Sequence, residues 1–277
     1  VGLPPPGRRH PRPQARPPRH SSLAADVKFY LGTHHDGWLA ELTVPLFVSH
    51  RRLFERRRLP RARTSWALDS GGFTEVTLHG GWQTREVDYL EAVERYATEI
   101  GRLDWAAPMD WMCEPLALEK TGLSVDQHIG RTIENYCHLH DARPDLPIIP
   151  VVQGWQLGDY LRCVAGYSAA GINLLDYEVV GLGTICRRQG TAEANQIVRE
   201  LSDIGLHLHA FGAKITGLRS YGCQLASSDS LAWSYNARRH PPLRGCEGKH
   251  KNCANCWKWA IRWRRKLLND LAHRDSR

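Results

Sequence analysis

"PIIPVVQGWQLGDYLRCVAGYSA", residues 147–169, contains the unit from which the fold is read. Its first part, 147–153, is an apolar run of strand length that ends in an amide, Gln153; the second, 157–169, carries a helical pattern. Working outward, apolar runs of the same kind stand at 27–33, 45–50, 65–69, 104–110, 179–184, 206–212 and 222–228. Further helical patterns lie at 85–100, 126–140 and 191–204, and in the first of these Val87, Leu90, Val93 and Tyr96 repeat at three and four residues. Eight short, nearly continuous apolar strands alternating with helices predict an α/β fold, a (β/α)8 TIM barrel with parallel strands. A chain of 277 residues suits one such barrel.

The predicted strands end on polar or small residues: Asp69, Asp110, Gln153, Gly183, Gly212 and Asp229. In such barrels the carboxyl ends of the strands carry the chemistry, so these positions are the candidate site. One of them raises a specific question. In "WALDSGGFTEV", residues 66–76, a carboxylate at the strand mouth is followed by Ser70, Gly71 and Gly72. Glycine allows a close approach or a positive φ, and an Asx-type turn is the plain alternative. The stretch after Asp69, "FTEVTLHGGWQ", reads as a small hairpin inserted before the next helix.

Charge is unevenly spread. The net charge is +8, of which five arginines in the first 25 residues contribute +5 and residues 244–266 contribute +7, leaving 26–243 at −4. Residues 1–25, rich in Pro and Arg and free of acids, read as a disordered basic tail. A mildly acidic body with a basic end points to polyanion binding at that end. No run is long and apolar enough to span a membrane, and the start lacks the apolar segment of a secretory signal. Five of the eight cysteines are scattered through apolar segments, which fits a reducing, cytoplasmic compartment.

The other three cysteines cluster. Cys246, His250, Cys253 and Cys256 supply four ligands of the type that hold tetrahedral Zn²⁺, and with no open position the metal would be structural. The domains expected are therefore the tail at 1–25, the barrel at 26–240, and a zinc-binding segment with a basic helix at 241–277. In that helix Trp259, Trp263 and Leu267, at i, i+4 and i+8, are expected to pack on the barrel. The interleaved Lys258, Arg262, Arg264, Arg265 and Lys266 are left for phosphates, contacts that position a strand without reading its sequence.

"LDSGGF" (68–73), "MD" (109–110), "VVQG" (151–154), "VGLGT" (180–184), "HAFGA" (209–213) and "SSDSLAWSYNAR" (227–238) resemble, in this order, the motifs of the tRNA-guanine transglycosylase superfamily. That superfamily exchanges a guanine in nucleic acid for a 7-deazaguanine on a TIM barrel with a zinc subdomain. The sequence departs from the tRNA-modifying members: Thr74 replaces the usual Gln, "VGLGTIC" replaces the longer glycine motif, and the nucleophile segment differs, although Asp229 and Arg238 keep its spacing. These departures are similar to the DpdA-type branch, which places 7-deazaguanines in DNA.

The resemblance implies roles residue by residue. Asp229 would be the nucleophile and Asp69 the general acid/base, a division that needs different environments for two carboxyls. Asp110 would accept from the donor edge of guanine and Gln153 would donate to its O6. The backbone of Gly181, Leu182 and Gly183 would line the 7-substituent, Ser70 would add a contact, and Phe73 would stack. Gly71 and Gly72 would clear a floor for a flat base. The family's usual zinc arrangement takes a histidine far downstream, which makes His273 the competitor of His250. The expected function is exchange of guanine for a preQ0-type base in DNA. The alternatives are tRNA as substrate, or a non-catalytic zinc-bearing nucleic-acid-binding subunit, against which the presence of both Asp69 and Asp229 argues. A homodimer or partner DNA-modification proteins, in a bacterial or phage-infected cell, would fit this branch.

Overall fold

The computed structural model describes residues 27–273; the proline- and arginine-rich segment expected to be a tail lies outside them. Eight strands form one parallel sheet: β1 (Lys28–Thr33), β2 (Leu46–Ser49), β3 (Trp66–Asp69), β4 (Leu103–Ala106), β5 (Val151–Val152), β6 (Val180–Leu182), β7 (Leu208–Ala210) and β8 (Leu225–Ser230). The helices are α1 (Trp38–Glu41), α2 (Gly72–His79), α3 (Glu86–Glu99), α4 (Pro115–Thr121), α5 (Val125–Ala142), α6 (Leu157–Ala169), α7 (Ala192–Asp203), α8 (Ile215–Tyr221), α9 (Ala232–Arg238) and α10 (Trp257–Ala272). The strand order is β4-β3-β2-β1-β8-β7-β6-β5. The first and last strands therefore pair in the middle, Tyr30 opposite Asp229. The sheet curls, and its two outer strands approach through a single parallel bridge, Ala106 to Ile148, where the Ala106 N–H donates to Pro147 O at 2.8 Å.

Both faces of the sheet are covered, which is why its strands read as continuous apolar runs. Successive side chains point to opposite faces. Phe29, Leu31, Trp66 and Leu68 enter the large core beneath the helices, while their neighbours Tyr30 and Ala67 join Trp105, Ala107 and Ile149 in a separate inner cluster flanked by Phe47, Val179 and Phe211. That inner cluster fills the concave side of the curl.

The segment after Asp69 corrects the hairpin reading. Residues 72–79 form α2, entered through Gly71 at φ +83° and left through Gly80 at φ +72°. The alternation in "FTEVTLH" is too short to set a strand against two glycines placed as helix boundaries. The Asx turn is nevertheless present: the Gly71 N–H donates to Asp69 Oδ1 at 3.1 Å.

The last helix packs as its spacing predicts. Leu267 and Leu271 are fully buried, Trp259 and Trp263 pack against the core, and the Trp263 ring lies 6.1 Å from Phe29 of β1. Burying each leucine contributes about 1.5–3 kcal/mol. Arg264 departs from the expected phosphate role: it reaches under the helix and donates from Nη2 to the Phe29 carbonyl at 3.1 Å. Arg262 and Arg265 remain exposed.

Candidate active site and metal centre

Every strand, or the turn that follows it, contributes to one cavity of about 290 Å³ at the carboxyl ends of the sheet. Thr33, Ser49, Asp69 and Asp229 come from strand ends, and Asp110, Gln153, Thr184 and Gly212 from the turns that follow. This is the edge at which open parallel α/β sheets place ligands. Phe47, Ala107 and Phe211 belong both to the cavity wall and to the inner cluster, so the pocket rests on a packed aromatic floor.

Asp69 ends β3 beside Ser49 of β2, its registered neighbour. Burial raises its pKa, opposed by the bonds from Gly71 N–H and the Ser49 hydroxyl, and the charge of Asp229 pushes it further up. Asp229 is held differently. The Gly212 N–H donates to its Oδ1 at 2.7 Å, and His209 Nε2 lies 3.4 Å from the same oxygen. Burial lowers the pKa of His209, favouring the neutral ring. Its Nδ1 meets Ser227 Oγ at 2.8 Å, a contact fixed by the register of β7 on β8. The two carboxyls thus share a cavity in different surroundings, the condition for an acid and a nucleophile in one site.

A second pair lines the same cavity. Gln153 Nε2 donates to Asp110 Oδ2 at 2.5 Å. Burial pushes the Asp110 carboxyl up to about 7; the Gln153 bond opposes this and the nearby Asp69 adds to it. Gln153 Oε1 accepts from Thr184 Oγ1 at 2.6 Å.

Of the other residues singled out in the sequence, Ser70, Gly72, Phe73 and Gly183 line the cavity. Gly71, Gly181 and Leu182 do not line it. Gly71 is needed for its left-handed turn, and Leu182 is buried in the large core. The Gly181 and Gly183 N–H groups are spent on Pro150 and Val152 carbonyls, and the Gly183 carbonyl accepts from Tyr160. Gly72 is small for a local reason: a Cβ there would lie 2.8 Å from Trp82. Phe73 is half-exposed on α2, with the Arg187 guanidinium 4.9 Å from its ring centre. Sequence reasoning missed Ser49, Glu114, Thr184, His209 and Phe211. Glu114 is buried in the cavity wall with Oε2 lacking a hydrogen-bond partner among the described residues. Thr184 and Phe211 each stand next to a residue already chosen at a strand end, and His209 opens the quoted "HAFGA" motif; Ser49 and Glu114 had no such signal.

Away from the cavity, the ligand atoms of Cys246, His250, Cys253 and Cys256 all lie within 4.8 Å of one another. Tetrahedral zinc at 2.3 Å from sulfur separates its ligands by about 3.8 Å, so these three thiols and one imidazole fit the ion. His273 follows the sixteen-residue α10, which begins right after Cys256, and the helix carries it about 25 Å away. Among the described residues His250, not His273, completes the cluster. Ser234 of α9 donates to the Ala254 carbonyl at 2.8 Å and so ties the cluster to the segment after β8.

The family model for DpdA, DeoxyPurine in DNA protein A, matches residues 25–276. The chain belongs to the DpdA family. A search of curated proteins returns no match. Membership in the DpdA family implies a transglycosylase-like enzyme with a role in deoxypurine modification and DNA as its substrate. No helix among the described residues is long and apolar enough to cross a membrane.

Proposed function

We propose that this DpdA-family chain is a guanine transglycosylase that replaces guanine in DNA with a 7-deazaguanine of the preQ0 type, on a curled sheet that we read as a (β/α)8 barrel. The observation that carries the reading is one cavity lined by Asp69 and Asp229, in unlike environments, together with an Asp110–Gln153 pair. The Asp229 carboxylate attacks C1′ as the C1′–N9 bond breaks, and Asp69 gives its proton to the leaving guanine. Asp69 then takes the N9 proton of the incoming base, whose N9 attacks C1′ and releases Asp229. Two inversions retain the β configuration and leave the phosphodiester backbone intact.

Burial raises the pKa of Asp69 and so favours its protonated form, the direction the acid role requires. Gly212 holds Asp229 by one oxygen, with His209 Nε2 3.4 Å from that oxygen, which orients the carboxylate for attack. Asp110 accepts from the N1–H and 2-amino edge, and Gln153 donates to O6. Phe73 and Phe211, which both line the cavity, supply aromatic faces for the base. Ser70, Gly72 and Gly183 complete the wall. A target base in a duplex must leave the stack to reach this cavity. Zinc held by Cys246, His250, Cys253 and Cys256 stabilises the C-terminal segment and supplies no reacting group.

The test is exchange of labelled guanine into purified DNA and tRNA, side by side, with the wild-type protein. Label entering DNA supports the reading. Efficient label in tRNA with none in single- or double-stranded DNA would overturn it.

A further inference from the structure

The orientation of Gln153 is dictated by a chain of hydrogen bonds that starts at the backbone. The Cys113 N–H can only donate, and it donates to Thr184 Oγ1 at 2.8 Å. The Thr184 hydroxyl hydrogen is then directed to Gln153 Oε1 at 2.6 Å. With the amide oxygen engaged, Nε2 turns to Asp110 Oδ2 at 2.5 Å. A flipped amide would leave the Thr184 hydroxyl hydrogen without an acceptor. The Cys113–Thr184 end of the chain therefore selects one orientation.

Two further observations single out Thr184. It lines the cavity at φ +55°, a left-handed backbone that a β-branched residue rarely adopts and that its surroundings must hold. At its neighbour Gly183 only glycine fits, because a Cβ would come within 2.2 Å of Gln153 Nε2.

We propose that Thr184 is a positioning residue that sets the purine selectivity of the cavity. By holding Gln153 Oε1 turned toward its own hydroxyl, it directs the second Nε2 hydrogen, rather than the amide oxygen, to the base. A 6-oxo purine then finds a donor, and a 6-amino purine finds donor against donor. The inference rests on the guanine-exchange reading and adds to it the residue that enforces the 6-oxo choice.

Calorimetric binding of guanine and of 2,6-diaminopurine, which keep the 2-amino group and differ at position 6, tests it. Wild type should prefer guanine at least about 100-fold, as sites built around a hydrogen bond do. Thr184→Val, which keeps the β-branch and loses the hydroxyl, should narrow that preference about tenfold by freeing the amide to turn. Thr184→Ser should hold the wild-type ratio, and Thr184→Ala replaces the valine variant should that one not fold. An unchanged ratio in the hydroxyl-free variant overturns the proposal, as does equal loss of both bases or a serine variant that behaves like valine. Wild type that binds neither base overturns the exchange reading and this inference with it, so the two failures are told apart.

Discussion

Replacing Asp110 with asparagine should make the protein's stability less sensitive to pH, and the size of the change can be worked from the site. Burial moves this carboxyl from its ordinary 3.8 up to about 7. At 1.36 kcal/mol per pH unit that corresponds to about 4 kcal/mol. The sign follows from proton binding: between the two values the folded protein keeps a proton that the unfolded chain has lost, so stability falls as pH rises. The contribution is complete below about pH 4 and gone above about pH 7. Asp110→Asn removes this dependence and still offers Gln153 an acceptor. Urea unfolding of both proteins at intervals from pH 4.5 to 8 would measure the difference. The variant should gain on wild type by about 1.4 kcal/mol per pH unit up to about pH 7 and then level off. Asp69, also raised by burial, is present in both proteins. A flat difference across the range, or a variant that loses ground as pH rises, would refute a buried, protonated Asp110.

Three other outcomes are expected. Asp229→Asn should abolish both base exchange and any covalent enzyme–DNA adduct on denaturing gels, whereas Asp69→Asn should slow proton transfer and leave the adduct detectable; an adduct that survives Asp229→Asn contradicts the assignment. Purified protein should carry one zinc, measured by atomic absorption, and His250→Ala should lose it together with soluble fold while His273→Ala keeps it. Arg262→Glu with Arg265→Glu should weaken DNA binding and flatten its salt dependence by roughly 0.7–0.9 in log–log slope for each phosphate no longer neutralised, whereas Arg264→Glu should lower the melting temperature instead, because that side chain is tied to Phe29.

The strands were legible because both of their faces are buried, so each stands out as an unbroken apolar run. "PIIPVVQ" followed by a helical pattern needed no tertiary knowledge, and α6 spans Leu157–Ala169 as read. The strand ends also marked Asp69, Asp110, Gln153 and Asp229, which line one cavity. What sequence concealed was conformation that depends on distant partners. Gly71 and Gly72 suggested an open floor, yet one serves a left-handed turn and the other makes room for Trp82, ten residues on. Thr184 looked like the end of a glycine motif; its meaning lies in Cys113 and Gln153, which the fold alone brings to it. Arg264 is indistinguishable from Arg262 in a basic run until the helix has been docked on β1.

The pairing of β1 with β8 has a consequence in time as well as in space. Their partners, Tyr30 and Asp229, are separated by nearly the whole described chain, and a ribosome adding about 5–20 residues per second needs about 10–40 s to make the roughly 200 residues between them. Until then β1 waits with one edge unpaired, shielded only by β2, and under the proposed mechanism the nascent protein has its acid but not yet its nucleophile. The strand that joins the two halves of the sheet is the strand that brings Asp229 to the cavity.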